Sequence, residues 1–219
     1  MTRDQLLSTL SQVNAILSDS HIVYTSGRHG RAYINKDAIY PHTDLTSDLC
    51  RLIALHFANH AIDVVVAPAL GGILLSQWVA HHLSQIQNKK ILALYAEKTP
   101  EGGFELGRGY AALCTHKNVL ILEDIVNTGG SLKKVIQSVR ALPAQVIGAA
   151  CICNRGQITC NELEYIPELF SLLEMNLQSW EAHQCPLCEQ GVPVHTGVGK
   201  GKEFMRSQKR LLPQPHELS

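Results

Sequence analysis

The chain has 219 residues, of which 45% are hydrophobic and 17% charged, so it can bury a substantial core as one domain. Its formal net charge is zero, and no overall electrostatic field points to nucleic acid or a membrane surface as a partner. We find no apolar run long enough to cross a bilayer and no signal-peptide pattern. Seven cysteines, an odd number at irregular spacing, are typical of reduced thiols, so we expect a cytoplasmic protein.

The amino-terminal region predicts a helix followed by a small two-strand element. Apolar side chains over residues 2–17 fall on one stripe, which indicates an amphipathic helix. Residues 21–37 contain two short strand-like runs around a turn rich in glycine and basic residues. A solvated hairpin is the simplest interpretation of this segment.

A strand, a glycine pair and a helix follow one another in the next part of the chain. Residues 43–57 predict a helix capped by Thr43 or Asp44, and residues 62–67 predict a buried strand. The segment Leu70-Gly71-Gly72 then leads into a helix over residues 74–82. Such a corner lets the backbone approach an anion, although a glycine pair alone is weak evidence for a site.

A second strand, over residues 91–96, leads into a glycine-rich connector. Residues 99–110 contain four glycines and a proline, so we expect a mobile, solvent-facing loop. Lys98 lies at the base of this loop and Arg108 at its far end. The loop is either a plain connector or a cationic lid for a diphosphate leaving group, whose negative charge grows as its bond breaks.

The most informative segment begins with four aliphatic residues, 119–122, which predict a parallel strand buried on both faces. Glu123 and Asp124 end this strand. The loop Asn127-Thr128-Gly129-Gly130-Ser131 follows and runs into a helix that ends near Pro143. Backbone N–H groups, glycines and hydroxyls at a helix N-terminus can hold a phosphate. The carboxylates would repel a phosphate, so we expect them to accept from sugar hydroxyls or to hold Mg²⁺ through water.

Two features lie beyond the predicted strand at residues 145–153. Arg155 follows that strand and is either a surface charge or a planar fork for a carboxylate. Cys185 and Cys188 form a Cys-x-x-Cys pair, with His183 and His195 nearby in sequence. Because no second cysteine pair follows, the pattern favours reduced thiols in a late turn over structural zinc. Residues 196–219 predict a basic, partly flexible tail.

Residues 119–131 resemble the phosphoribosyl-pyrophosphate motif of the type I phosphoribosyltransferases, and residues 26–33 resemble the amino-terminal hood of the orotate phosphoribosyltransferases. The resemblance implies an α/β fold with a central parallel sheet, flanking helices and a small hood at about residues 1–40. The domain would cover residues 1–195. The implied reaction transfers phosphoribose from 5-phospho-α-D-ribose 1-diphosphate (PRPP) to orotate and requires Mg²⁺.

The resemblance also assigns roles to individual residues. Catalysis falls to Lys98, Asp124 and Arg108. The residues implied in PRPP binding are Leu70, Gly71, Gly72, Glu123, Asp124, Asn127, Thr128, Gly129, Gly130 and Ser131. Those implied in base binding are Tyr33, Ile34, Lys36 and Arg155.

No residue is expected to ligate Mg²⁺ directly, because pyrophosphate and ribose oxygens would hold it. A homodimer, with the loop reaching into the neighbouring subunit, is also implied, and neither a membrane nor a nucleic acid is expected as a partner. Two alternatives remain open. One is transfer to another base, and the other is a non-catalytic regulatory protein that binds PRPP.

Overall fold

The structure is a computed structural model that describes residues 3–24, 26–175 and 177–211. Within these residues the helices are α1 Arg3–Gln12, α2 Thr43–His56, α3 Gly71–Ile86, α4 Tyr110–Cys114, α5 Gly130–Arg140, α6 Pro186–Glu189 and α7 Gly201–Leu211. The strands are β1 Ile16–Leu17, β2 Ile22–Val23, β3 His29–Gly30, β4 Tyr33–Ile34, β5 Val64–Pro68, β6 Leu92–Lys98, β7 Phe104–Glu105, β8 Asn118–Val126, β9 Gln145–Asn154, β10 Leu169–Glu174 and β11 Ser179–Trp180. None of the described helices is long and apolar enough to cross a membrane.

The chain divides into two compact units. The sheet unit is Ile39–Asn176, and the terminal unit combines Met1–Ala38 with Leu177–Ser219. The predicted tail lies in the terminal unit, where residues 201–211 form helix α7, and residues 212–219 lie outside the described part of the chain. The terminal unit is therefore built from two stretches that are far apart in sequence.

The sheet unit has a six-stranded sheet in the order β10-β9-β8-β5-β6-β7. Its first five strands are parallel, and β7 pairs with β6 in the antiparallel sense at one edge. This confirms the predicted α/β fold with a central, mostly parallel sheet. Because the carboxyl ends of parallel strands meet at one edge, the segments that follow β5, β6, β8 and β9 all leave the sheet on the same side.

Helices cover both faces of this sheet, as the aliphatic strands require. On one face, Val119 and Ile121 of β8 share a buried cluster with Val135, Ile136 and Val139 of α5. The alternate residues Leu120 and Leu122 are also fully buried, and helices α2 and α3 pack together on the side of the sheet away from α5. Strand β8 is thus enclosed on both faces, as its sequence predicts.

The terminal unit contains much shorter elements. Strand β1 pairs with β4, and β3 lies between β11 and β2 in a three-stranded antiparallel sheet. Each of these strands has two residues. The carboxyl-terminal segment joins this sheet through backbone N–H groups of His195 and Lys200, which donate to the carbonyls of His21 and Val23 at 2.8 Å.

Several predicted boundaries are corrected by the structure. The predicted helix over residues 2–17 ends at Gln12, because Asn14 adopts a left-handed conformation and Ile16 and Leu17 form β1. Helix α2 begins at Thr43 without a side-chain cap bond from its N-cap residue, His42. Part of the predicted loop at residues 99–110 is ordered, since β7 folds back on β6 and α4 begins at Tyr110.

The two-faced burial of β8 predicts a large cost for truncating one of its side chains. Leu120→Ala removes a fully buried leucine and should lower the free energy of unfolding by about 2–5 kcal/mol. Leu113→Ala, the same change at a leucine that is 43% exposed, should cost less than about 1 kcal/mol. Urea unfolding followed by circular dichroism measures both. Equal losses would show that β8 is not the centre of the core.

Candidate active site

The acidic pair lies inside strand β8, because the strand continues to Val126 instead of ending at Glu123 and Asp124 as predicted. Glu123 pairs in register with Cys151 of β9. Relative exposure is 9% for Glu123 and 3% for Asp124. Two carboxylates are therefore held on a rigid strand, close to the edge of the sheet where the parallel strands end.

Tyr40 orients Asp124, and the sequence reasoning missed it. Its hydroxyl donates to Asp124 Oδ2 at 3.1 Å, and the backbone N–H of Ile125 donates to Asp124 Oδ1 at 2.7 Å. Burial, together with the nearby Asp124 carboxylate, raises the pKa of Tyr40 far above its ordinary value. Tyr40 is thus protonated at neutral pH and donates to the carboxylate. No local pattern around Tyr40 signals this contact, which spans 84 positions in sequence.

The predicted phosphate loop forms a pocket of about 90 Å³ at the start of α5. Its lining residues are Glu123, Ile125, Val126, Asn127, Thr128, Gly129, Gly130, Ser131 and Leu132. The first turn of a helix leaves its N–H groups without intrahelical acceptors, and here the residues of that turn line the pocket. A volume of this size holds several waters or one phosphate group. The pocket can therefore bind an anion through main-chain donors.

Gly129 allows the chain to enter α5. It has φ of +70°, a left-handed conformation, and a Cβ atom placed on it would lie 3.1 Å from Leu163 Cδ2 and 3.3 Å from Ile158 Cγ2. The adjacent Gly130 is different, because a Cβ atom at that position would meet only Thr128 Oγ1, at 3.4 Å. Of the two glycines, the first is required by the backbone and the second is not.

The segment after β9 supports the phosphate loop. The backbone N–H groups of Arg155 and Gly156 both donate to the carbonyl of Val126, at 2.8 and 3.1 Å. Gly156 has no room for a side chain, since a Cβ atom would lie 1.5 Å from the carbonyl oxygen of Asn127. Arg155 Nε donates to Asn127 Oδ1 at 3.3 Å. The arginine predicted to bind a carboxylate therefore lies beside the loop predicted to bind phosphate.

The second glycine corner lies at the end of β5, next to β8 in the sheet. Helix α3 begins at Gly71, three residues earlier than predicted, and Leu70 is 85% exposed. The peptide bond between Ala69 and Leu70 is cis. A Cβ atom on Gly72 would lie 2.6 Å from Ala67 Cβ, so only glycine allows the helix to start this close to the strand. The turn at residues 70–72, in which Leu70 is exposed and Gly72 is buried, thus lies at the same edge of the sheet as the acidic pair.

The cationic loop leaves the sheet at this edge too. Pro68 of β5 is in register with Ala96 of β6, so Lys98 lies two residues beyond the end of β5, and its side chain is exposed. Lys134 of α5 donates to the carbonyl of Gly102 at 2.6 Å, which ties the loop to that helix. Arg108 forms an ion pair with Glu97, with 2.9 Å between Nη2 and Oε1. In this conformation Arg108 is held by a carboxylate of strand β6, just before its own loop.

The residues predicted to contact a base on the amino-terminal side lie in the terminal unit. Tyr33 and Ile34 form β4, where Ile34 pairs with Ile16 and is only 5% exposed. Lys36 begins a short 3₁₀ helix, Lys36–Ala38, and is half-buried. Within their own unit, Tyr33 and Ile34 are thus placed by strand pairing and Lys36 by a short helix.

Comparison with known proteins gives the family. The family model of the phosphoribosyl transferase domain matches residues 35–184, which is more than half of the chain. The chain belongs to the phosphoribosyltransferase family. Among curated relatives, a phosphoribosyltransferase named for orotate from Thermoanaerobacter sp. is 34% identical over 194 residues, covering 89% of this chain and 96% of the relative. Another of the same name, from Chlorobaculum parvum, is 32% identical and covers 89% of this chain and 94% of the relative.

Solved structures agree with this phosphoribosyltransferase fold. The orotate phosphoribosyltransferase of Mycobacterium tuberculosis, solved in complex with PRPP, matches with a TM-score of 0.60 and 23% identity. The match covers 79% of this chain and 96% of the other. This likeness establishes the fold, and the chemistry has to be argued from the site.

The contrast between the two adjacent glycines gives a testable prediction for this phosphoribosyltransferase. Gly129→Ala imposes a left-handed conformation on alanine and crowds Leu163, so it should lower the free energy of unfolding by about 1–3 kcal/mol. Gly130→Ala, one residue further on, should stay within about 0.5 kcal/mol of the parent protein. Thermal and urea unfolding measure both variants. If Gly130→Ala proved as costly as Gly129→Ala, the described loop conformation would be wrong.

Proposed function

We propose that this protein is an orotate phosphoribosyltransferase, which transfers the phosphoribosyl group of PRPP to orotate and releases orotidine 5′-phosphate and pyrophosphate. The product is the precursor of UMP, so the reaction belongs to pyrimidine biosynthesis. The curated relatives named above carry this activity in their names at 32–34% identity over most of the chain. The observation in the structure that supports the proposal most strongly is the pair of buried carboxylates directly before a main-chain anion pocket.

The arrangement matches the two ends of a ribose 5-phosphate. The pocket at residues 127–131 can hold the 5′-phosphate through backbone N–H groups and the hydroxyls of Thr128 and Ser131. Glu123 and Asp124 lie on the strand that enters this loop, where they can accept hydrogen bonds from the ribose hydroxyls. Tyr40 keeps the Asp124 carboxylate in a fixed orientation. Asp124 therefore acts by holding the sugar in the geometry needed for reaction.

The bond that breaks joins C1′ of the ribose to a diphosphate oxygen, and its electron pair leaves with the pyrophosphate. We assign the diphosphate to the backbone of Leu70, Gly71 and Gly72, with Lys98 placed to neutralise the charge that grows on it. Arg108 adds a second positive charge once its ion pair with Glu97 is exchanged for the diphosphate. The orotate ring nitrogen forms the new bond to C1′. Because that nitrogen is already acidic, a strong general base is not required.

Mg²⁺ is the proposed cofactor, and the donor set of this site fits a metal that is held mainly by the substrate. Mg²⁺ prefers oxygen ligands and retains several waters. Glu123 and Asp124 are not among the clusters of three or more potential metal ligands in the described part of the chain, so they do not form a preformed cage. They fit contact with a hydrated ion carried by the diphosphate and ribose oxygens. When bound, Mg²⁺ withdraws negative charge from the diphosphate.

Selection of the base is the role proposed for Arg155, with Tyr33, Ile34 and Lys36 of the terminal unit as further base contacts. A guanidinium can bind the carboxylate of orotate through two parallel hydrogen bonds, which an uncharged purine cannot provide. We also propose a homodimer, because the loop at residues 99–110 resembles the loop that reaches into the neighbouring subunit in the orotate enzymes. The seven cysteines are all free thiols, which supports a cytoplasmic location.

Replacing Lys98 tests the catalytic assignment. Lys98→Ala should lower kcat by about 100-fold or more, since the leaving group loses a positioned charge. Lys90→Ala is the matched control, because Lys90 is also exposed but lies just before the opposite, amino-terminal end of β6. The assay follows the fall of orotate absorbance after PRPP and Mg²⁺ are added. Equal kcat in both variants would remove Lys98 from catalysis.

The same assay with other bases separates the alternatives. Turnover with purines but not orotate would show a phosphoribosyltransferase for a different base. Binding of PRPP without release of pyrophosphate, for every base tested, would show a regulatory protein of the same fold. Either result would overturn the proposed function.

Because Arg155 also contacts Asn127 of the predicted phosphate loop, a kinetic test has to separate its effect on orotate binding from its effect on PRPP binding. Arg155→Gln should raise KM for orotate by roughly 10- to 100-fold, the cost of losing a charge-assisted pair, and should raise KM for PRPP much less. Arg51→Gln, at a surface arginine paired with Asp48 on α2, should change neither constant. A rise confined to KM for PRPP would show that Arg155 serves the phosphate loop and not the base.

A further inference from the structure

Four potential metal ligands from distant parts of the sequence meet inside the terminal unit. One ligand atom from each of His21, His29, Cys185 and Cys188 lies within 4.8 Å of the others. His21 precedes β2, His29 begins β3, Cys185 immediately precedes α6, and Cys188 lies within it. The sequence predicted His183 and His195 as the neighbours of the cysteine pair, but neither belongs to this group. The ligand atoms come from one hairpin and one short helical turn.

The separations between these atoms match a tetrahedral zinc site. Cys185 Sγ lies 3.6 Å from His21 Nε2, and Cys188 Sγ lies 3.7 Å from the same nitrogen and 3.4 Å from His29 Nδ1. Zinc bonds of roughly 2.0–2.1 Å to nitrogen and 2.3 Å to sulfur, at tetrahedral angles, place a nitrogen and a sulfur ligand about 3.5 Å apart. The two ring nitrogens are 2.8 Å apart, so they need to separate only slightly.

Contacts around the cluster orient the two histidine rings. His21 Nδ1 lies 2.7 Å from the carbonyl of Val192, so that nitrogen carries the proton and Nε2 presents its lone pair to the cluster. The ring of Phe204 meets the His29 ring edge-on, with 4.8 Å between centroids. Both histidines are almost fully buried, at 1% and 0% exposure.

The architecture of the terminal unit explains what a metal would do there. The strands of this unit have two residues each, and its two stretches of chain are separated by the whole sheet unit. Small folds with little core commonly depend on disulfides or a structural metal. All seven cysteines are free thiols, so no disulfide joins these stretches. A metal bound by both stretches would act as a cross-link between them.

We propose that His21, His29, Cys185 and Cys188 bind one Zn²⁺ ion that holds the two stretches of the terminal unit together. Two imidazoles and two thiolates form a ligand set typical of structural zinc. With four protein ligands the ion has no open position, so its role is structural and not catalytic. This site lies within the terminal unit and does not rest on the proposed transferase activity.

The metal content of the full-length protein tests this proposal directly. Protein purified from zinc-supplemented cells, without an affinity tag that binds metal, should contain about one zinc per chain. Inductively coupled plasma mass spectrometry measures this content. Cys188→Ser should lose that zinc, as should Cys185→Ser. Cys160→Ser and His183→Gln are matched controls at residues outside the cluster and should keep it. Zinc retained by both cysteine variants would mean adventitious binding elsewhere and would overturn the proposal.

A second measurement does not depend on whether the variants fold. Cobalt(II) titrated into the zinc-depleted parent protein should produce thiolate-to-cobalt charge-transfer absorption and the intense visible bands of tetrahedral coordination. One equivalent of zinc should then abolish both signals. Chelation should also lower the midpoint of unfolding, because a metal bound only by the folded state stabilises it. Absence of the cobalt bands, or bands without thiolate character, would refute the assigned ligands.

Discussion

The structure depends on burying β8 on both faces of a parallel sheet. Leu120 and Leu122 are buried on one face, and Val119 and Ile121 on the other, so the strand cannot shift in register without exposing apolar surface. Glu123 and Asp124 are carried on the same strand and are therefore as fixed as the core. The anion pocket follows within a few residues. Rigid placement of the acidic pair relative to the pocket is what a sugar phosphate requires, since its hydroxyls and its phosphate are a fixed distance apart.

The two units are stabilised by different means. The sheet unit has five parallel strands of five to ten residues, and four of them carry candidate site residues at or beyond one edge of the sheet. The terminal unit has two-residue strands and gathers two histidines and two cysteines instead. The residues proposed to select the base, Tyr33, Ile34 and Lys36, belong to this second unit. The order of this unit would thus depend on the metal as well as on packing.

Much of the sheet unit could be predicted from sequence, because its signals are local. A run such as residues 119–122 identifies a buried strand, and Gly129-Gly130-Ser131 identifies a helix start. The contacts that the sequence did not predict join residues that are far apart in the chain. Tyr40 is bound to Asp124 across 84 positions, and His21 meets Cys185 across 164. The ion pair between Arg108 and Glu97 was missed for another reason. The number of charges along a loop does not show which charged side chains pair with one another. The left-handed turn at Asn14 ended the first helix although its apolar stripe continued.

The central claim is that the loop at residues 127–131 holds the 5′-phosphate while the acidic pair holds the ribose. Amide chemical shifts of the ¹⁵N-labelled protein, recorded as ribose 5-phosphate is added, test it most directly. The account predicts that the largest changes fall on the backbone N–H groups of Thr128, Gly129, Gly130 and Ser131, with smaller ones at Glu123 and Asp124. Inorganic phosphate should reproduce the changes in the loop but not those at the acidic pair. Changes centred on any other segment, with this loop unaffected, would contradict the account.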